Sequence, residues 1–168
     1  MAKTIVAGWP GDVMILDPFG DEWPSPKSGQ IYLFSDIEPY LLAAIKSENR
    51  LLVVDETGYM IDRYEKEHHW LATQSRHSGH SAIFISQRYT QIPPIIRAQA
   101  SELWAFSTPP KDAAAVGEDY LRVDMDKILP RLPQFHAVRL NRFKPAQRVR
   151  VVPGDDPKIL RVDKSKKV

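Results

Sequence analysis

Apolar residues along the chain fall into short unbroken runs: Val13 to Leu16, Ile31 to Phe34, Leu51 to Val54, Ala82 to Ile85 and Leu103 to Phe106. Runs of four bounded by turn-forming residues read as short strands buried on both faces, because a strand covered on one side only would alternate. Between the runs the period changes. From Ser35 to Asn49, Tyr40, Leu41, Ala44 and Ile45 recur on one helical face, with Ser35 and Glu38 at capping-box spacing and Pro39 confined to the first turn. A second helix is predicted from Ile61 to about Gln74. A third is predicted from Thr108, with Pro109 in its first turn and Ala113-Ala114-Ala115 behind it. Strands alternating with helices predict an α/β fold, a three-layer and mostly parallel sheet flanked by helices. The segment 18–30, with three prolines and two glycines, reads as a long surface loop. Beyond Pro130 the texture shifts to short β-prone runs, His136 to Leu140, Gln147 to Val152 and Lys158 to Val162, broken by Lys144-Pro145 and Pro153-Gly154-Asp155. The expected organisation is an α/β domain over 1–130, holding every strand and helix of the core, and a basic C-terminal segment over 131–168.

Composition narrows this further. A chain of 168 residues that is 43% hydrophobic can bury one sizeable core. No apolar run approaches the roughly 20 residues that span a bilayer, and Met1-Ala2-Lys3-Thr4 does not open a secretory signal. The expectation is a cytoplasmic chain without a membrane span. The absence of cysteine excludes disulfides, a thiolate nucleophile and a cysteine-based zinc site. The net charge of +2 conceals an asymmetry: residues 1–130 hold 12 Lys/Arg against 18 Asp/Glu, whereas residues 131–168 hold 11 against 3. An acidic body with a basic end predicts a polyanionic partner, with Arg139, Arg142, Lys144, Arg148, Arg150, Lys164, Lys166 and Lys167 following a phosphate backbone. A merely solvated tail is the alternative.

Ligands of open α/β sheets bind beyond the carboxyl ends of the strands, so polar residues placed there come first. Leu51 to Val54 ends in Asp55-Glu56, a pattern in which one carboxylate can hold Mg²⁺ and the next can polarise an attacking water. Ile15-Leu16 ends in Asp17-Pro18. Ile83-Phe84-Ile85 ends in Ser86-Gln87-Arg88, where the amide can position water or sense a γ-phosphate and the guanidinium can offset phosphate charge. The ordinary alternatives are a helix N-cap for Asp55-Glu56, a turn for Ser86-Gln87 and a loop start for Asp17-Pro18. His68, His69, His77 and His80 lie within 13 residues. They could ligate a metal, for instance His69 with Glu65, but no third ligand follows from the spacing, and structural or exposed histidines are the ordinary reading. Trp9, Phe19 and Trp23 could stack on bases or anchor the proline-rich loop.

In this order, Leu51 to Glu56, then Ser75-Arg76-His77-Ser78-Gly79 ahead of Ile83 to Arg88, then Ile92-Pro93 and a strand near Trp104, the sequence resembles the HerA/FtsK superfamily of P-loop ATPases. These pump or package DNA, and their relatives include phage packaging and conjugation ATPases. Asp17-Pro18-Phe19-Gly20-Asp21-Glu22 is similar to an Asp-Pro-x-Gly-Glu stretch of that family. The resemblance covers roughly residues 13–107. It implies ATP and Mg²⁺ as ligands, Asp55 as the Walker B metal residue with Asp17 nearby in the nucleotide site, Glu56 as the catalytic glutamate and Gln87 as the sensor. It further implies that Arg76 reaches a neighbouring subunit's nucleotide, that the partners are DNA and other motor components or copies of the chain, and that the setting is a phage or mobile element. The departure is the missing G-x-x-x-x-G-K-[ST] loop that wraps phosphates with backbone N–H groups and supplies a lysine. Lys3-Thr4 resembles its last two residues, yet Gly8, Pro10 and Gly11 are expected to follow too soon for the helix that comes next. Three functions stay open: an ATPase-like motor subunit with an incomplete nucleotide site, a non-catalytic DNA- or protein-binding module that keeps the fold, and a metal-dependent nuclease using Asp17, Asp55 and Glu56.

Overall fold

Val13–Leu16 (β1) and Leu51–Val54 (β3) are buried at every position because they are the two inner strands of a sheet ordered β2-β1-β3-β4. Ile31–Phe34 (β2) and Ser81–Phe84 (β4) form its margins and stay partly exposed, so the expectation of burial on both faces holds for the inner pair only. All three pairings are parallel and in step, with Leu16 level with Phe34 and Val54, and Val54 level with Phe84. The computed structural model describes residues 1–151 and the backbone of strand Lys158–Ile159. It divides into two units, Ala2–Gln99 and the chain from Ala100 onward.

In the first unit, strand alternation sends Val13, Ile15, Leu51 and Val53 to one face. There they meet Val6 of the helix Ala2–Gly8 (α1), with Trp9, Trp23, Ile31, Ile83 and Ile85 at the rim. The helix Ile37–Ile45 (α2) contributes Tyr40, Leu41 and Ala44 to the core, and the Tyr40 hydroxyl donates to the Val53 carbonyl at 3.2 Å. Asp36, in extended conformation, is its N-cap and makes no side-chain cap bond, while the Ser35 hydroxyl turns to Asp36. The capping box is therefore not formed. α1 itself overturns one expectation: a helix does follow Lys3-Thr4, ending at Gly8 just before Pro10 and Gly11.

The helix expected from Ile61 to Gln74 is broken. Thr57–Met60 (α3) precedes it and only Trp70–Thr73 (α4) is α-helical within it. Local side-chain bonds compete in between: Asp62 Oδ1 accepts from the Tyr64 N–H at 2.7 Å, and His68 Nδ1 accepts from the Asp62 N–H at 3.2 Å. Pro94–Gln99 (α5) closes the unit.

The second unit corrects the fifth strand and the C-terminal segment. Glu102–Ala105 (β5) does not join the parallel sheet but pairs antiparallel with His136–Asn141 (β6), which pairs antiparallel with Lys144–Arg150 (β7) and then Lys158–Ile159 (β8). Ala137, Leu140 and Val149 of these later strands are fully buried, as are Ala113 of the helix Pro110–Asp119 (α6) and Leu129 beyond Met125–Ile128 (α7). The basic strands are thus part of a folded core, and the units divide after Gln99 and not at 130.

Candidate functional site

The in-step parallel register brings three chain turns out at one carboxyl edge. Beyond Val54 the ladder continues for one residue on each side, with the Asp55 N–H donating to Leu16 O at 2.9 Å and the Ile85 N–H to Val54 O at 2.9 Å. Thr57 then locks the turn: its N–H donates to Ile85 O at 2.7 Å, its hydroxyl donates to Val54 O at 3.1 Å, and it is fully buried. Between these anchors Glu56 is held at φ 47°, ψ 47°, the left-handed region that costs a residue with a side chain on the order of 1 kcal/mol or more. Gly58 completes the turn, since a Cβ there would lie 2.6 Å from Gln91 Cβ and push α3 off the following segment. Glu56 is the N-cap of α3 yet makes no side-chain cap bond, and Asp55 Oδ1 accepts only from the Glu56 N–H at 2.9 Å. The two carboxylates are not spent on capping.

Gln87 arrives from the end of β4. Its Nε2 donates to Glu56 Oε1 at 2.8 Å. The Ser86 hydroxyl donates to Arg88 O at 3.0 Å, so Ser86 shapes the turn while Gln87 faces the glutamate. Burial pushes the Asp55 carboxyl above the usual aspartate value, and the negative charges of Asp17, Glu56 and Asp21 add to that push against the opposing Glu56 N–H. A carboxylate disfavoured in this way, with Oδ2 free of any protein donor among the described residues, is an environment that a cation would relieve.

Asp17 does something else. Oδ1 accepts from the Phe19 and Gly20 N–H groups at 2.9 and 3.1 Å, and Oδ2 from the Asp21 N–H at 2.7 Å and Trp23 Nε1 at 2.9 Å. Burial alone would raise its pKa, but the four hydrogen bonds, from Trp23, Phe19, Asp21 and Gly20, outweigh it and hold the carboxylate below its usual range. With two donors on each oxygen, Asp17 serves as the knot of the 18–23 loop. Trp23 and Trp9 pack on the core as anchors, whereas Phe19 is 73% exposed and stacks on Tyr59 with ring centroids 6.4 Å apart. Lys3, at the start of α1, reaches the same loop: its Nζ lies 3.3 Å from Asp21 Oδ2 and 5.4 Å from the Trp23 ring centre. Its place at this edge was hidden in the sequence by the glycines and proline that follow. Alternation gives no sign of it.

Arg76 is not part of this assembly. It is exposed on the 3-10 turn Ser75–Ser78, which leads into the start of β4, so it stands at the opposite edge of strands that span about 13 Å. Within one chain it does not reach Glu56. Of the histidines, His80 is buried with Nδ1 accepting from the Arg50 N–H at 3.1 Å, and His68 is buried against Asp62. Among the described residues no group of three His, Asp or Glu side chains is arranged to hold a metal ion, and no helix is long and apolar enough to cross a membrane.

The basic residues take several roles in the second unit. Arg139 pairs with Glu102 at 2.6 Å and lies over Trp104, and Arg142 donates to Asp119 O at 3.0 Å. Lys144, Arg148 and Arg150 project from β7 and are exposed. Lys164, Lys166 and Lys167 lie outside the described residues.

A parallel sheet flanked by helices, with an antiparallel sheet beside it in the chain and an acid pair facing a glutamine at the carboxyl edge, is a fold similar to that of the P-loop NTPases. Among solved structures the likeness is to viral genome-packaging NTPases. The genome packaging NTPase B204 from Sulfolobus turreted icosahedral virus 2 in complex with AMPPCP is 16% identical, with a TM-score of 0.64 over 83% of this chain and 82% of that one. The same protein in complex with sulfate is 18% identical, with a TM-score of 0.65 over 84% and 81%. B204, the DNA-packaging ATPase from Sulfolobus Turreted Icosahedral Virus, is 16% identical, with a TM-score of 0.63 over 84% and 82%. At these identities the likeness is one of fold. No protein-family model and no curated protein matches the chain.

Proposed function

We propose that the chain is a packaging-motor type of ATPase subunit in which Asp55, Glu56 and Gln87 form the hydrolytic half of a nucleotide site whose phosphate-wrapping half is incomplete. The observation that carries this is the 2.8 Å bond from Gln87 to Glu56, made across two adjacent parallel strands beside the electronegative Asp55. The B204 structures in complex with AMPPCP and ATP-gammaS support a nucleotide as the ligand of such a fold.

The residues at the edge fit Mg²⁺ and a triphosphate in part. Asp55 would hold the metal, directly or through water, and Mg²⁺ supplies charge neutralisation of the phosphates when bound. Lys3 and Thr4, opening α1 beside the Asp17 loop, would meet the phosphate end. Glu56 would orient the attacking water and accept its proton, with Gln87 holding the carboxylate and contributing its amide to the water's position. Asp17 acts through the loop it ties and not as a ligand. Arg76, at the far edge, would act only on the site of a neighbouring subunit, which favours a homo-oligomer or an assembly with other motor components. DNA is the proposed substrate of the motor, met by the basic strands of the second unit.

The experiment is calorimetric titration of the whole chain with ATP and Mg²⁺, paired with a hydrolysis assay. Two missing charge-assisted hydrogen bonds, each about 1.5 to 3 kcal/mol, would weaken binding about a hundredfold or more against a complete site. The expected result is weak binding that needs Mg²⁺, is lost in Asp55→Asn, and is accompanied by negligible turnover. Turnover by this chain alone that disappears in Glu56→Gln would show that the site is complete. Binding indifferent to Mg²⁺ and to Asp55→Asn would remove the nucleotide site from this edge and favour the non-catalytic binding module.

A further inference from the structure

The ammonium that would meet the phosphate end is already held. Lys3 Nζ lies 3.3 Å from Asp21 Oδ2 and 5.4 Å from the Trp23 ring centre, so a carboxylate and the face of an indole share it. Both holders are pinned to one atom: Asp17 Oδ2 accepts from the Asp21 N–H at 2.7 Å and from Trp23 Nε1 at 2.9 Å. Asp17 is itself buried, and its other oxygen ties Phe19 and Gly20. On the lysine side, Val6 lies three residues further along α1 and is fully buried against the sheet. The ion pair therefore joins two fixed pieces of backbone, which lowers the ordering cost that usually cancels a surface pair.

The pair stands where a polyphosphate would need the lysine. Besides burial, the charges of Asp17, Glu56 and Asp21 push the Asp55 carboxyl up, so Asp21 lies close enough to the carboxylate assigned to the metal for its charge to be felt there. Asp21 opposes an incoming phosphate in two ways: it neutralises the ammonium that should receive it, and it repels the phosphate charge directly. With both side chains about half exposed, at 48% and 57%, the pair is weak enough to be displaced, which makes it a gate and not a permanent block. We propose that Asp21, held with Trp23 by the Asp17 knot, is an autoinhibitory clamp on Lys3 that a polyphosphate must displace before the lysine can serve it. This rests on the carboxyl edge being the nucleotide site proposed above.

The test is calorimetric titration of the full chain with inorganic triphosphate in excess Mg²⁺, for wild type, Asp21→Asn, Glu22→Gln, Lys3→Ala and the Lys3→Ala/Asp21→Asn double variant. Asp21→Asn should tighten binding about two- to tenfold, and should gain nothing once Lys3 is alanine. Glu22→Gln removes an exposed charge from the same loop that does not hold the lysine, and its effect should be smaller. A second readout needs no ligand: acetylation of the Lys3 amine by acetic anhydride, followed by mass spectrometry, should be faster in Asp21→Asn and unchanged in Glu22→Gln. An equal gain in both single-charge variants would overturn the clamp by reducing it to overall charge. Lys3-dependent binding that Asp21→Asn leaves unchanged would overturn the clamp and keep the nucleotide edge. Binding by none of the variants would overturn the nucleotide edge and the clamp with it.

Discussion

Gln87 Nε2 and Glu56 Oε1 meet at 2.8 Å although 31 residues separate them in the chain. Parallel pairing of β3 and β4, with Val54 level with Phe84, obliges the residues that follow each strand to emerge side by side. The bond also meets a backbone that is already committed: Thr57 is tied to both Val54 and Ile85, and Glu56 between them is left-handed. A carboxylate is thus aimed by its main chain and steadied by an amide.

Glu56→Gly should relieve the left-handed backbone and raise stability by about 0.5 to 1 kcal/mol in urea unfolding, while removing the partner of Gln87. Glu56→Ala should not stabilise, because it keeps the Cβ at φ 47°. Destabilisation by the glycine variant would mean that the Glu56–Gln87 bond outweighs the strain.

Gly58→Ala should destabilise the first unit, because its Cβ would lie 2.6 Å from Gln91 Cβ and the carbon it meets is close to the backbone and cannot swing away. Thermal unfolding should register a loss of about 1 to 3 kcal/mol, the usual range for overpacking. An unchanged melting temperature would show that the Tyr89–Gln91 turn moves freely.

Asp17→Asn leaves two oxygen sites' worth of donors facing an amide that can accept at only one atom. Unfolding should be easier by about 1.5 to 3 kcal/mol at neutral pH, with Trp23 fluorescence shifted to the red as its Nε1 loses its acceptor. The wild-type carboxyl is held low in the folded state, so this contribution is present above the unfolded value of 3.8 and is lost as pH falls through the folded one. The variant and wild type should therefore converge in strong acid.

Asp55 has the opposite sign. Its folded pKa is raised above 3.8, so on going up in pH the unfolded chain releases this proton first, and stability falls across the interval and stays lower above it. Asp55→Asn should be more stable than wild type at pH 7 in a chelator, with no difference well below pH 3.8. Added Mg²⁺ should raise the melting temperature of the wild type alone.

A chain cut before Arg139 should lose the second unit, since it removes the buried Leu140 and Val149 and the partner strand of β5. The near-ultraviolet signal of Trp104 is the reporter. Arg148→Ala and Arg150→Ala, by contrast, alter exposed positions and should leave stability within about 0.5 kcal/mol. Each should reduce the magnitude of the salt slope on duplex DNA by about 0.9 if it meets a phosphate.

Local pattern is enough for β1 to β4 and for α2 and α6, because an apolar run or a 3.6-residue stripe is a property of neighbouring residues. It is enough, too, to set Asp55, Glu56 and Gln87 at strand ends, and parallel alternation of strands and helices then predicts a shared edge. Partnership between distant segments is another matter. Glu102–Ala105 reads as one more strand of the parallel sheet, and nothing within it shows that its neighbour is β6 in a second, antiparallel sheet. The run from Ile61 to Gln74 has helical spacing, but the bonds of Asp62 and His68 to backbone N–H groups stop the helix, and these depend on the turn geometry itself. Asp17 reads in the sequence as a strand-end carboxylate or the start of a loop, and the four donors that converge on it appear only in the folded chain. Lys3 joins the edge only because α1 packs Val6 onto the sheet. Long-range hydrogen bonds and packing, which carry no local period, made each of these decisions.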